Sequence, residues 1–210
     1  MRLMTYATSI SQPEPLRTQA ETNKRSPMTV FLTLVAIGAA LSVALGTYGR
    51  VHVPTGEAIT HLWFPAVLPM KAWLATGAFG LAIAQLTSAL WMWGRLPGAG
   101  KAPKWVATAH RWTGTTAFLV SLPVAYHCLW SLGFQTTDTR VLVHSVLGCA
   151  FYGALATKLL VLRSRRVPGW ALPVLGGTLV VLLTGLWLTS ALWFFTSFGF
   201  PGWEAALPLI

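Results

Sequence analysis

Carboxylates are almost missing from this sequence. It has five in 210 residues (Glu14, Glu21, Glu57, Asp138 and Glu204), and none lies in a strongly apolar stretch. Charged residues of both signs make up 10% of the chain, against about 25% in a soluble domain. So little charge does not cover a water-facing surface, so lipid is the solvent for much of the chain. The scarcity of acids also excludes paired-carboxylate chemistry within the apolar runs, and no serine–histidine arrangement supports an intramembrane hydrolase. Cysteine is nearly as scarce. Cys128 and Cys149 both fall inside apolar runs and read as small buried hydrophobes, so there is no disulfide framework. No CxxC or CxxCH occurs, which excludes the usual covalent haem attachment. Iron–sulfur cysteine sets and flavin or nicotinamide motifs are missing too.

Apolar length is what the chain has. Residues 29–48, 72–94, 107–133, 141–162 and 170–195 form five apolar runs, each meeting the roughly 20 residues needed to cross hydrocarbon. Their apolarity is continuous rather than alternating, and backbone groups in lipid must be satisfied internally. They therefore read as helices. The expected fold is an all-α bundle of five transmembrane helices over 29–195. A polar, disordered cytoplasmic tail is expected at 1–28 and a short outer tail at 196–210. The net charge of +10 does not read as a nucleic-acid footprint, because the basic residues flank the runs instead of mixing with aromatics on one soluble face.

That basic charge is lopsided. Arg2, Arg17, Lys24, Arg25, Arg95, Lys101, Lys104, Arg163, Arg165 and Arg166 fall on one side of the predicted topology, and only Arg50, Lys71 and Arg140 on the other. The positive-inside rule places the N-terminus in the cytoplasm and the C-terminus outside. The longest outer segment, 50–70, holds His52 and His61. Its stretch from His61 to Pro69 is apolar but too short to span, and is expected to lie on or dip into the interface.

Three histidines, His110, His127 and His144, stand within the runs or at their ends, and ionisable residues there are rare and usually functional. His127 is ten residues before the middle of the outer turn and His144 seven after it. Two antiparallel helices thus each offer an imidazole at similar depth, as bis-histidine ligation of a b-type haem requires. Gly148, four residues after His144, lies on the same face and leaves room for a porphyrin. Arg140, four residues before it, is placed to meet a propionate. Axes of packed helices are about 8–10 Å apart, too close for a His–Fe–His bridge, so the third and fourth helices must splay or stand diagonally. The plainer alternative is that both histidines bond to carbonyls or to Ser121, Ser131 or Ser145 and only help packing. His110 is seventeen residues from His127, about 25 Å along a helix, so it serves an inner polar site or the headgroups. A second, inner haem would need a further inner ligand; no other histidine is there, and Met92 is a candidate substitute. The pairs His110/Gly114 and His144/Gly148 share one spacing. Gly153, Ala154, Gly176 and Gly177 read as close helix packing.

The stretches HRWTGTTAF from His110, VAYHC through His127, and RVLVHSVLGCAFYG from Arg140 resemble the core of membrane b-type cytochromes. They are most similar to little-characterised bacterial five-helix proteins related to the cytochrome b and ferric-reductase-like class. The resemblance spans roughly residues 30–195. It implies haem b, on the outer-leaflet side, held by His127 and His144, with a less certain carry-over at His110. It also implies electron transfer in the bacterial cytoplasmic membrane with quinone on one side. The expected partner is an outer iron–sulfur or cytochrome protein or a larger respiratory complex, making the chain the membrane subunit of a quinol-linked oxidoreductase. His61 in the outer segment is the candidate quinone or partner contact. The chain departs from the four-histidine diheme pattern, which puts a second haem in doubt. The competing expectation is a haem-free membrane scaffold or small transporter subunit.

Overall fold

The computed structural model describes residues 26–202, which form helices and no strands. Five helices are long and apolar enough to cross a membrane, so the chain reads as a multi-pass membrane protein. They are α1 (Pro27–Val51), α2 (Val67–Met92), α3 (Lys104–Tyr126), α4 (Thr139–Arg163) and α5 (Ala171–Trp187). α3 continues through a π-helical turn, His127–Leu132. α5 continues through another, Leu188–Leu192, into the short α6, Trp193–Phe198. Ser26 caps α1 by accepting the Thr29 N–H, so the helix begins inside the segment expected to be tail; residues 1–25 of that tail and 203–210 of the C-terminal one lie outside the described residues.

α2 starts five residues before the expected 72, at Val67. Pro69 fits in its first turn, where no N–H is needed for the ladder. Lys71, expected in a loop, is therefore a helical residue. The loop before α2 keeps His61 exposed, with its Nδ1–H donating to the Phe64 carbonyl at 2.5 Å.

Packing follows small residues. Gly38 and Ser42 on α1 meet Gly153 and Thr157 on α4. A Cβ at Gly38 would run into the Thr157 hydroxyl and the Gly153 carbonyl, and one at Gly153 would strike Ser42 and the Gly38 carbonyl. Such small pairs one turn apart let helix backbones touch in lipid. Gly176 and Gly177, expected to serve packing, have nothing within 4 Å of an added Cβ.

α3 lies along α2, while α4 lies between α1 and α5; α3 and α4 make little direct contact. Room for a ligand between these two helices, by splay or by diagonal placement, is therefore present. Their turn is tied to α1: Phe134 N–H donates to the Gly49 carbonyl at 2.7 Å. Gly133, at φ 70° and ψ −172°, occupies a backbone region open essentially to glycine alone. A Cβ there would also stand 2.7 Å from the Gly49 oxygen. Gly133→Ala is expected to cost about 1–3 kcal/mol, read as a lower unfolding temperature in detergent, while Gly98→Ala, in an open loop, should cost only its backbone strain.

Candidate functional site

Between α3 and α4 lies a partly open cavity of about 1210 Å³, lined also by residues of α1, α2 and the α5–α6 region. It is larger than the roughly 300–1,000 Å³ of ordinary ligand pockets. Its wall is mostly apolar. On α4 the lining recurs every three or four residues from Arg140 to Leu159, nineteen residues or about 28 Å. His144, Gly148 and Arg140 all lie on this face, as their four-residue spacing requires. Gly148 lines the cavity, and a Cβ on it would make one ordinary contact, with Leu186 at 3.9 Å.

His144 Nδ1 is 3.0 Å from Thr189 Oγ1, and Arg140 donates from one guanidinium nitrogen to the Thr189 carbonyl at 2.9 Å. The Arg140 guanidinium also sits 3.9 Å over the Trp193 ring and 4.0 Å from Asp138. Thr189 belongs to the second π turn.

His127 opens the first π turn, into which the ladder interruption at Pro123 leads. It is five residues from the end of that turn at Leu132, and His144 is five residues into α4. Each thus stands five residues from its end of the connecting turn. They differ in surroundings. His127 is buried, neither ring nitrogen has a hydrogen-bond partner, and Ser131 one turn on is unpartnered as well. His127 lies in the wall rather than on the lining, close enough to Lys71 of α2 for their charges to interact. Its neighbour Cys128 lines the cavity, near enough to Lys71 and His144 for their charges to act on it. Packing through Ser121, Ser131 or Ser145, the plainer expectation, does not account for His127. Ser121 bonds Tyr152 (2.9 Å), Ser145 bonds Gln135, and Ser131 Oγ has no partner.

Three residues of the site are not evident from the sequence. Lys71 looks like a loop charge; the apolar run preceding it, continuous with the span, is the signal that extends the helix. Cys128 looks like a packing residue, and its position beside His127 is the available clue. Thr189 carries no signal, being one threonine in an apolar run.

The other histidines stand apart. His61 is outside the cavity lining, on its exposed loop. His52 Nε2–H donates to the Trp130 carbonyl at 3.1 Å, and its ring stacks on Tyr48, which pins the end of α1 to the π turn. His110 lies at the far end of α3, with Nδ1 2.8 Å from Ser88 Oγ and Lys158 of α4 near enough to act on its charge. Gln85 donates to the His110 carbonyl and to Thr113 Oγ1 (2.6 Å). The Gln85 side chain occupies the face of Gly114, where a Cβ would meet it at 3.1 Å. The two His-x-x-x-Gly sequences are thus alike in spacing and unlike in use: one glycine faces a cavity, the other an amide. Met92 is an exposed residue at the end of α2. Among the described residues no group of three or more histidine, cysteine or acidic side chains is placed to hold a metal ion by itself.

Residues 30–202 match a family described as a family of unknown function, DUF6529. The chain belongs to DUF6529. No curated protein and no solved structure matches it. Membership in DUF6529 does not tie the chain to the b-type cytochromes.

Proposed function

We propose that this DUF6529 protein is a haem-b-binding electron-transfer subunit of the bacterial cytoplasmic membrane, passing electrons between quinol and a redox partner on the outer face. The observation that carries the proposal is the large apolar cavity between α3 and α4 with His144 on its wall and Gly148 beside it. The unpartnered His127 adds to it. Burying an imidazole without hydrogen bonds costs on the order of 1–3 kcal/mol for each polar group, a cost that an absent ligand would explain.

The residues fit a haem in kind. His144 supplies one imidazole, and His127, in the adjoining wall, is the second candidate. Lys71 and Arg140 put two cations on an otherwise apolar lining, matching a flat apolar group that carries two carboxylates. A bound haem supplies a one-electron redox change. The chain's own part is to hold it, exclude water and set its surroundings. Two histidine ligands leave no open iron position, which favours electron transfer over oxygen chemistry. His61 and its loop remain the proposed contact for quinone or a partner, and His110 with Lys158 a separate polar site at the other end.

An absorption spectrum of the full chain purified with native lipids tests the proposal. Sharp α and β bands on reduction, with poor carbon monoxide binding, are expected. Protein without haem, after expression with ample haem supply, would favour the scaffold or transporter reading.

Orientation is tested separately. Reporter fusions at 98–102 and 164–167 should report cytoplasm and fusions at 135–138 the exterior, following the ten-to-three bias of basic residues between the two sides. The reverse pattern would move the proposed haem to the inner side.

A further inference from the structure

We propose that Thr189 is the positioning residue of His144, fixing the imidazole as the Nδ1–H tautomer and presenting a bare Nε2 as its ligating atom. Thr189 Oγ1 lies 2.8 Å from the Gly185 carbonyl and 3.2 Å from that of Leu186. Carbonyl oxygens only accept, and a hydroxyl has one proton, so that proton is committed to its own helix. Toward His144, 3.0 Å away, Thr189 Oγ1 then acts as acceptor, and the proton between them belongs to Nδ1. A neutral imidazole carries a single N–H, so Nε2 keeps its lone pair.

The backbone holds this arrangement from the other side. Arg140, one turn from His144 on α4, donates to the carbonyl of the same threonine. The π turn Leu188–Leu192 sets Thr189 where α4 grips its hydroxyl and its carbonyl at once. π turns of this kind are frequent at functional sites. The construction has an internal counterpart: Ser88 Oγ, 2.8 Å from His110 Nδ1, donates to the Ala84 carbonyl at 2.7 Å.

The tautomer stands on geometry alone; its consequence for iron rests on the haem reading. A hydroxyl that holds a ligating histidine by its second nitrogen orients the ring and raises its basicity, and losing such a partner typically costs 10–100-fold in affinity.

The experiment uses the full chain labelled with ¹⁵N-histidine, prepared without haem in lipid nanodiscs, with the His144 signals assigned by their loss in His144→Gln. Nitrogen shifts should show protonated Nδ1 and bare Nε2 in the wild type. Thr189→Val, similar in shape but without the acceptor, should release His144 to the other tautomer or a mixture. Thr189→Ser should restore the wild-type pattern, and Ser88→Ala should move His110 alone. A wild-type His144 protonated at Nε2, or a Thr189→Val spectrum identical to wild type, would overturn the proposal. Should Thr189→Val fail to fold, the wild-type tautomer and the Thr189→Ser comparison still decide. In haem-loaded protein, Thr189→Val should bind haem about 10–100-fold more weakly and raise the midpoint potential, with Thr189→Ser near wild type. If no haem binds at all, the haem reading fails while the nitrogen spectra continue to decide the role of Thr189.

Discussion

His144→Ala is expected to remove the low-spin haem spectrum altogether. Among the described residues His144 is the one histidine on the cavity lining, and His127 stands behind it in the adjoining wall. His52 is engaged with Trp130, His61 lies on the exposed loop outside the lining, and His110 is at the opposite end of the bundle. His127→Ala should open a coordination position, seen as carbon monoxide binding and a high-spin spectrum. His110→Ala should leave the bands unchanged, since seventeen residues separate it from His127. Pyridine haemochrome content and reduced spectra of the three variants, at equal protein, are the measurement. If both His144→Ala and His127→Ala keep a low-spin spectrum, the ligand pair is wrong. If only His127→Ala does, the partner of His144 must be sought on the lining, to which Cys128 also belongs.

The other large effect is expected at the α1–α4 crossing. Gly153→Leu puts a branched side chain where even a Cβ would overlap the Gly38 carbonyl and the Ser42 hydroxyl. A backbone carbonyl does not step aside, so the helices must part. Overpacking by single methylenes already costs about 1–3 kcal/mol, and a whole side chain at a backbone contact exceeds that. The variant should fail to give a monodisperse peak in detergent, or should unfold at a much lower temperature. Gly176→Leu is the control. Nothing lies within 4 Å of that position, and a change of within about 0.5 kcal/mol is expected. Equal behaviour of the two variants would mean that the Gly38–Gly153 contact does not hold the bundle together.

The contrast between these glycines shows where the sequence stops being legible. Both sit in apolar helical runs, and both read as packing positions. Only the partner helix distinguishes them, and partner choice is non-local. The five spans themselves were legible because burial in lipid imposes length and continuous apolarity, and each observed helix covers its expected run to within a few residues. The start of α2 was the largest miss, since Pro65, Pro69 and Lys71 look like loop residues when the permissiveness of a first turn is overlooked. At the site, the four-residue spacing of Arg140, His144 and Gly148 predicted a shared face, and they share one. The two π turns left no mark in residue type apart from Pro123. It is these turns that set Cys128 on the lining with His127 behind it, and that bring Thr189 to His144. A helix read at a uniform 3.6 residues per turn aims those side chains in other directions.

The pairing of helices described above also bears on the order in which the molecule is made. α2 and α3 are neighbours in sequence and in space, as are α4 and α5, so each pair closes over a short connection as it leaves the ribosome. α1 is different: its main partner is α4, more than a hundred residues downstream, so its glycine face must wait in the bilayer while two other spans are inserted. The cavity depends on all of these steps, because its last wall, including Thr189 and Trp193, belongs to the final span. The cavity wall is therefore complete only once the final span is in place.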